Sequence, residues 1–102
     1  MNKYTLYVGL NDQTTKKQEI ETAAAFDVVT RIICKYADGG TVYTARGIYK
    51  HDSGAVVIEN TLRIEIFDVP KRALNMIVKL IKRALNQESV ALQTETVTTQ
   101  FI

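Results

Sequence analysis

His51, Asp52 and Ser53 stand side by side in "KHDSG", and they are the three residue types of a hydrolytic triad. A working triad needs its base, nucleophile and orienting acid brought together from separate places in the fold. Three consecutive residues point in different directions. Asp, Ser and Gly are also the residues of a tight turn, so the stretch reads as the exposed tip of a hairpin with His51 on it. Cys34 is the only cysteine. A reactive thiol needs a basic neighbour and access. Cys34 has no histidine or second cysteine nearby in sequence, so no nucleophilic role is expected. One His and one Cys do not make a zinc set. "ADGGT" follows a helix where a phosphate-binding loop would precede one. No catalytic residue, metal or cofactor is expected, and the chain reads as a non-enzyme.

Two surfaces remain. Between Asp68 and Glu88 lie five bases, Lys71, Arg72, Lys79, Lys82 and Arg83, and no acid. On a helix, Arg72, Lys79 and Arg83 fall on one line opposite the Leu/Ile stripe. Such a line is either a solvated face or an electrostatic footprint for an acidic protein surface, a nucleic acid or a nucleoprotein. The second surface is an uncovered sheet face. Alternation places Thr5, Tyr7, Arg63 and Glu65 on it, with Tyr43 and Tyr49 as candidates. Aromatics and Arg on an open sheet can stack bases, but "VVIENTLRI" lacks the aromatic pattern of RNA-recognition strands. A half-apolar open face also suits a dimer or a small ligand.

The elements that carry these residues follow from periodicity. In "KYTLYVGL", Tyr4, Leu6, Val8 and Leu10 alternate with polar or small residues, which predicts a strand. Thr15 and Gln18 have capping-box spacing, and predict a helix from Lys16 to Tyr36. Its apolar stripe is Ala25, Phe26, Val29, Ile32, Ile33 and Tyr36. Gly39 or Gly40 is expected to end it in the left-handed conformation. "TVYTARGIYK" and "AVVIENTLRIEIF" read as two strands joined at "KHDSG", with "ENT" marking a bulge. Ile64 is expected to face the helices and Glu65 to point the other way. Asp68 is expected to cap a second helix with Pro70 in its first turn. Leu74, Ile77, Val78, Ile81 and Leu85 form its stripe. "SVALQTETVTTQFI" reads as one long final strand.

The order β-α-β-β-α-β predicts a ferredoxin-like α+β sandwich: a four-stranded antiparallel sheet with both helices on one face. The first and third strands are then central. The 102 residues form a single domain, 1–102. Apolar residues make up 46% and charged ones 24%, the balance of a globular chain. There is no apolar run of about 18 residues for a membrane span. No signal-peptide pattern is present, and a single cysteine fits a reducing cytoplasm. Net charge is +2, too little to argue for nucleic acid alone. The final strand is an edge without Lys, Arg or Pro, which predicts a homodimer through it.

"LYVGL", "ARGIY", "VVIENTLRIEI" and "NQESVAL" together resemble small uncharacterised proteins of Gram-positive bacteria, their phages and their conjugative elements. The resemblance spans nearly the whole chain and carries over no active-site residue. It implies a mobile-element inhibitor, such as an anti-CRISPR protein that blocks a CRISPR effector. The first functional expectation is therefore a non-enzymatic binding or inhibitor module using Arg72, Lys79 and Arg83. The alternative is a dimeric α/β-barrel-type protein that binds a small ligand, or acts as an enzyme, through Tyr7, Tyr43, Tyr49, Arg63 and Glu65.

Overall fold

The computed structural model describes residues 1–102. Its elements are β1 (Asn2–Gly9), α1 (Thr22–Tyr36), β2 (Thr41–Lys50), β3 (Val56–Phe67), α2 (Lys71–Ala84) and β4 (Ala91–Thr96). The sheet order is β2-β3-β1-β4, and every neighbouring pair is antiparallel. This is the ferredoxin-like arrangement, with β1 and β3 central. Leu6, Val8, Leu62, Ile64 and Ile66 meet Ala25, Val29 and Ile33 of α1 and Ile77 and Ile81 of α2 in one buried cluster. Each Val, Leu or Ile among them contributes about 1.5–3 kcal/mol of apolar burial. Both helices therefore cover one face and leave the other open. No helix is long and apolar enough to cross a membrane.

The helix and strand ends depart from the sequence reading. α1 starts at Thr22 instead of Lys16, with Glu21 at its N-cap and no side-chain cap. Asp12 Oδ1 accepts the backbone N–H groups of Thr14 (2.8 Å) and Thr15 (3.1 Å). These local bonds hold a turn that competes with helix. Lys16 has φ +62, which an α-helix excludes. Gln18 is drawn elsewhere: its Nε2 donates to Ile20 O, and its Oε1 accepts Asn60 Nδ2. The Thr15–Gln18 capping box does not form.

α1 ends at Ala37, which is extended (φ −141), with its N–H on Ile33 O. Neither Gly39 nor Gly40 is left-handed. Gly40 serves close approach instead: a Cβ there would sit 2.8 Å from the backbone O of Glu65. Backbone cannot swing aside as a side chain can, so Gly40→Ala is expected to destabilise by about 1–3 kcal/mol. Urea denaturation checks this. An unchanged midpoint would mean that the start of β2 shifts freely.

β3 pairs without interruption from Val56 to Phe67, so "ENT" is no bulge. Its polar residues instead satisfy the loop after β1. The O of Asn60 accepts Leu10 N–H, and Glu59 Oε2 accepts Asn11 N–H at 3.0 Å. The β2–β3 turn is as read, with Gly54 at φ +90 and His51 exposed.

Asp68 does not cap α2. It turns the chain at φ +51, its N–H bonds Asn2 O, and Pro70 occupies the N-cap position, one residue before the first turn. The last strand is shorter than Ser89–Ile102 and spans only Ala91–Thr96. Thr96 pairs with Asn2, the first residue of β1, and Val97 N–H reaches Met1 O.

Candidate functional site on the open sheet face

Register places Lys3, Thr5 and Tyr7 of β1, Thr41 and Tyr43 of β2, and Arg63 and Glu65 of β3 on the open face. Glu65 is at its centre. Its Oε1 accepts the Tyr43 hydroxyl at 2.7 Å. Its Oε2 faces Lys3 Nζ at 3.1 Å and Arg63 Nη2 at 3.2 Å. The Arg63 guanidinium lies near both the Tyr7 ring (5.7 Å) and the Tyr43 ring (5.4 Å). This layer of side chains leaves Glu65 only 8% exposed on a face that no helix covers. Arg63 Nε is buried without a hydrogen-bond partner; the ring faces offset part of its desolvation.

The Tyr43 hydroxyl and the Lys3 ammonium hold the Glu65 carboxyl below the usual carboxylate range. Donating to that carboxylate pushes the Tyr43 hydroxyl up. Both shifts favour an ionised Glu65 and a protonated Tyr43.

Tyr49 shares the face but stands apart from this network. It lines an adjoining pocket of about 650 Å³, toward the hairpin end of the sheet, with Tyr7, His51, Glu59, Asp12 and Lys16. The Tyr49 and His51 rings meet edge to face at 5.4 Å. Glu59 is opposite Gly47 in the sheet. Its carboxylate lies over Gly9, where an added Cβ would stand 2.6 Å from the carboxyl carbon. The sequence reading missed Glu59. Two signals were available. Alternation puts it on the face of Arg63 and Glu65, and Gly9 and Gly47 lie within strands, where glycine marks close approach.

The hairpin-tip reading of His51, Asp52 and Ser53 accounts for their geometry. All three are exposed, and Ser53 Oγ accepts Ala55 N–H within the turn. Cys34 is exposed. No three His, Cys, Asp or Glu side chains converge as metal ligands would. Arg72, Lys79 and Arg83 are exposed on α2, and none is in an ion pair; both ion pairs in the structure belong to Glu65. Lys79 and Arg83 border a shallow cleft of about 570 Å³ with Lys82 and Asn75. This cleft lies along α2 and meets the open-face pocket at Gln13 and Gln87.

Known structures share the fold. A phage SAM lyase in complex with S-methyl-5′-thioadenosine is 24% identical with a TM-score of 0.66, covering 92% of this chain and 79% of that one. The same phage lyase in its apo state is 22% identical with a TM-score of 0.68, covering 92% and 78%. The GlnK–ATP complex of B. subtilis is 14% identical with a TM-score of 0.56, covering 92% and 82%. At these identities the likeness is one of fold. Among curated proteins, none matches. Over residues 3–101 the sequence fits one described family, and the chain belongs to it: "Protein of unknown function (DUF3574)".

Proposed function

We propose that the chain binds a small ligand of the adenosine class on its open sheet face, in the pocket beside Tyr7, Tyr49 and Glu59. The observation that carries this reading is one continuous surface. It joins a fixed ion network, Lys3–Glu65–Arg63 with Tyr43, to a pocket whose volume suits a nucleoside. Two tyrosines that line the pocket, Tyr7 and Tyr49, offer stacking faces. The fold likeness supports the same class, since the phage lyase was solved with S-methyl-5′-thioadenosine and GlnK with ATP. Titration calorimetry with these two compounds tests it. Binding is expected for at least one of them, weakened about 5-fold or more by Tyr49→Ala, because base–aromatic stacking is worth about 1–3 kcal/mol. No heat at millimolar ligand rejects the reading. Chromatography of the same mixtures separates binding from turnover.

A second reading rests on α2. Arg72, Lys79 and Arg83 are exposed and free of carboxylates, which favours an acidic protein or a nucleoprotein such as a CRISPR effector, and an inhibitor role. Replacing all three by Ala leaves Leu74, Ile77 and Ile81 untouched, so the fold survives. Capture of such a partner is expected to be lost at physiological salt. For duplex DNA the log–log salt slope should fall by about 0.9 per phosphate contact removed. Unchanged capture would make the stripe a solvated face. Self-association belongs to either reading. All six residues of β4 are exposed, and its outer edge carries no Lys, Arg or Pro, so a second copy can pair there. A monomer in sedimentation at high micromolar concentration rejects that pairing.

A further inference from the structure

Resting on the adenosine reading, we infer that the pocket selects a ligand with a positive charge, held by the Glu59 carboxylate against the Tyr7 and Tyr49 rings. Glu59 makes no ion pair, and its carboxylate accepts one hydrogen bond, from Asn11 N–H to Oε2. Oε1 is left for a ligand. The pocket wall holds three carboxylates, Asp12, Glu59 and Glu88, against one lysine, Lys16. Three negative charges and one positive leave −2, whereas the whole chain carries +2. The pocket therefore runs against the field of its own protein. Asp12 is occupied by Asn86 and by the backbone of Thr14 and Thr15, and Glu88 is exposed. Glu59 is the carboxylate set among the aromatics.

Its placement is built into the backbone. Gly9 leaves the space that the carboxylate fills, and any Cβ there would displace it. Gly47, directly opposite, adds no side chain over it. An alkylated onium ion suits such a site better than a metal ion, because a carboxylate and ring faces attract a diffuse cation without stripping a tight water shell. A sulfonium or a quaternary ammonium has that chemistry.

The test uses two probes that differ by one methyl group and one charge. S-Methyl-5′-thioadenosine is a neutral thioether, and 5′-deoxy-5′-(dimethylsulfonio)adenosine is its S-methylated cation. The wild-type protein is expected to bind the cation at least about 10-fold tighter, with a preference that shrinks as salt rises. Glu59→Gln should bring the two affinities together while keeping that for the thioether. Gly9→Ala should do the same by pushing the carboxylate aside. Melting curves establish that both variants fold. Equal affinity of the wild type for the two probes overturns the cation inference and leaves the adenosine reading standing. Binding of neither probe overturns this inference, and the adenosine reading falls with it when ATP does not bind either. A preference that survives both variants assigns the selectivity to another group and overturns the role of Glu59.

Discussion

Ile64→Ala is expected to destabilise the protein by about 2–5 kcal/mol, the range for deleting a large aliphatic side chain in a packed core. Ile64 is 0% exposed. It lies in the central strand β3, opposite Leu6 on one side and Val42 on the other. Both helices close over that row of the sheet, so the lost methyl and methylene groups leave a void that little can fill. Ile58 makes the comparison clean. It has the same side chain, in the same strand, on the same face, yet it is 53% exposed because the hairpin extends past the helices. Ile58→Ala is expected to cost within about 0.5 kcal/mol. Urea denaturation of the two variants measures both. Similar losses at the two positions would mean that the hairpin arm is packed in solution, or that Ile64 is not at the centre of the core.

Those two isoleucines also mark what a sequence can tell. Alternation assigns a face, and it did so correctly for Leu6, Val8, Ile64 and the Tyr7–Arg63–Glu65 row. It carries no information on how far a helix reaches along the sheet, so Ile58 and Ile64 look alike. The element order was legible because two strongly amphipathic helices need a sheet face, and the strand breaks carry turn residues. Helix ends were not. Asp12, Gln18 and Asn60 settle the start of α1 through hydrogen bonds, one of them spanning 42 residues of sequence, and a local capping pattern cannot see that. β4 ends opposite Asn2, the first residue of β1. In the candidate site, four of the five residues read from the strands do converge: Tyr7, Tyr43, Arg63 and Glu65. The pocket beside them was hidden because Glu59 sits in a polar interruption that looked like a bulge, and its significance comes from Gly9 on another strand.

Glu65→Gln shows the limit of the face argument from the other side. Glu65 does point away from the helices, and a residue on an open face would ordinarily tolerate Gln within about 1 kcal/mol. Here the carboxylate is nearly buried, and it binds Lys3, Arg63 and the Tyr43 hydroxyl at once. Gln keeps an acceptor for Tyr43 but removes the charge that holds the two cations together. The expected loss is about 1–3 kcal/mol at pH 7. Its pH dependence separates charge from shape. The folded-state pKa of Glu65 is lowered from 4.5, so the folded protein binds this proton less readily than the unfolded chain does. The stabilisation is therefore fully present above the unfolded value of 4.5 and is lost as pH falls through the lower folded value. The gap between wild type and Glu65→Gln should be widest at neutral pH and narrow steadily in acid below the unfolded value. Denaturation midpoints of the two proteins across that window provide the measurement. A gap of constant size would assign the loss to packing. No gap at neutral pH would mean that Lys3 and Arg63 find water as good a partner as Glu65, and that the centre of the open face is not fixed by this network.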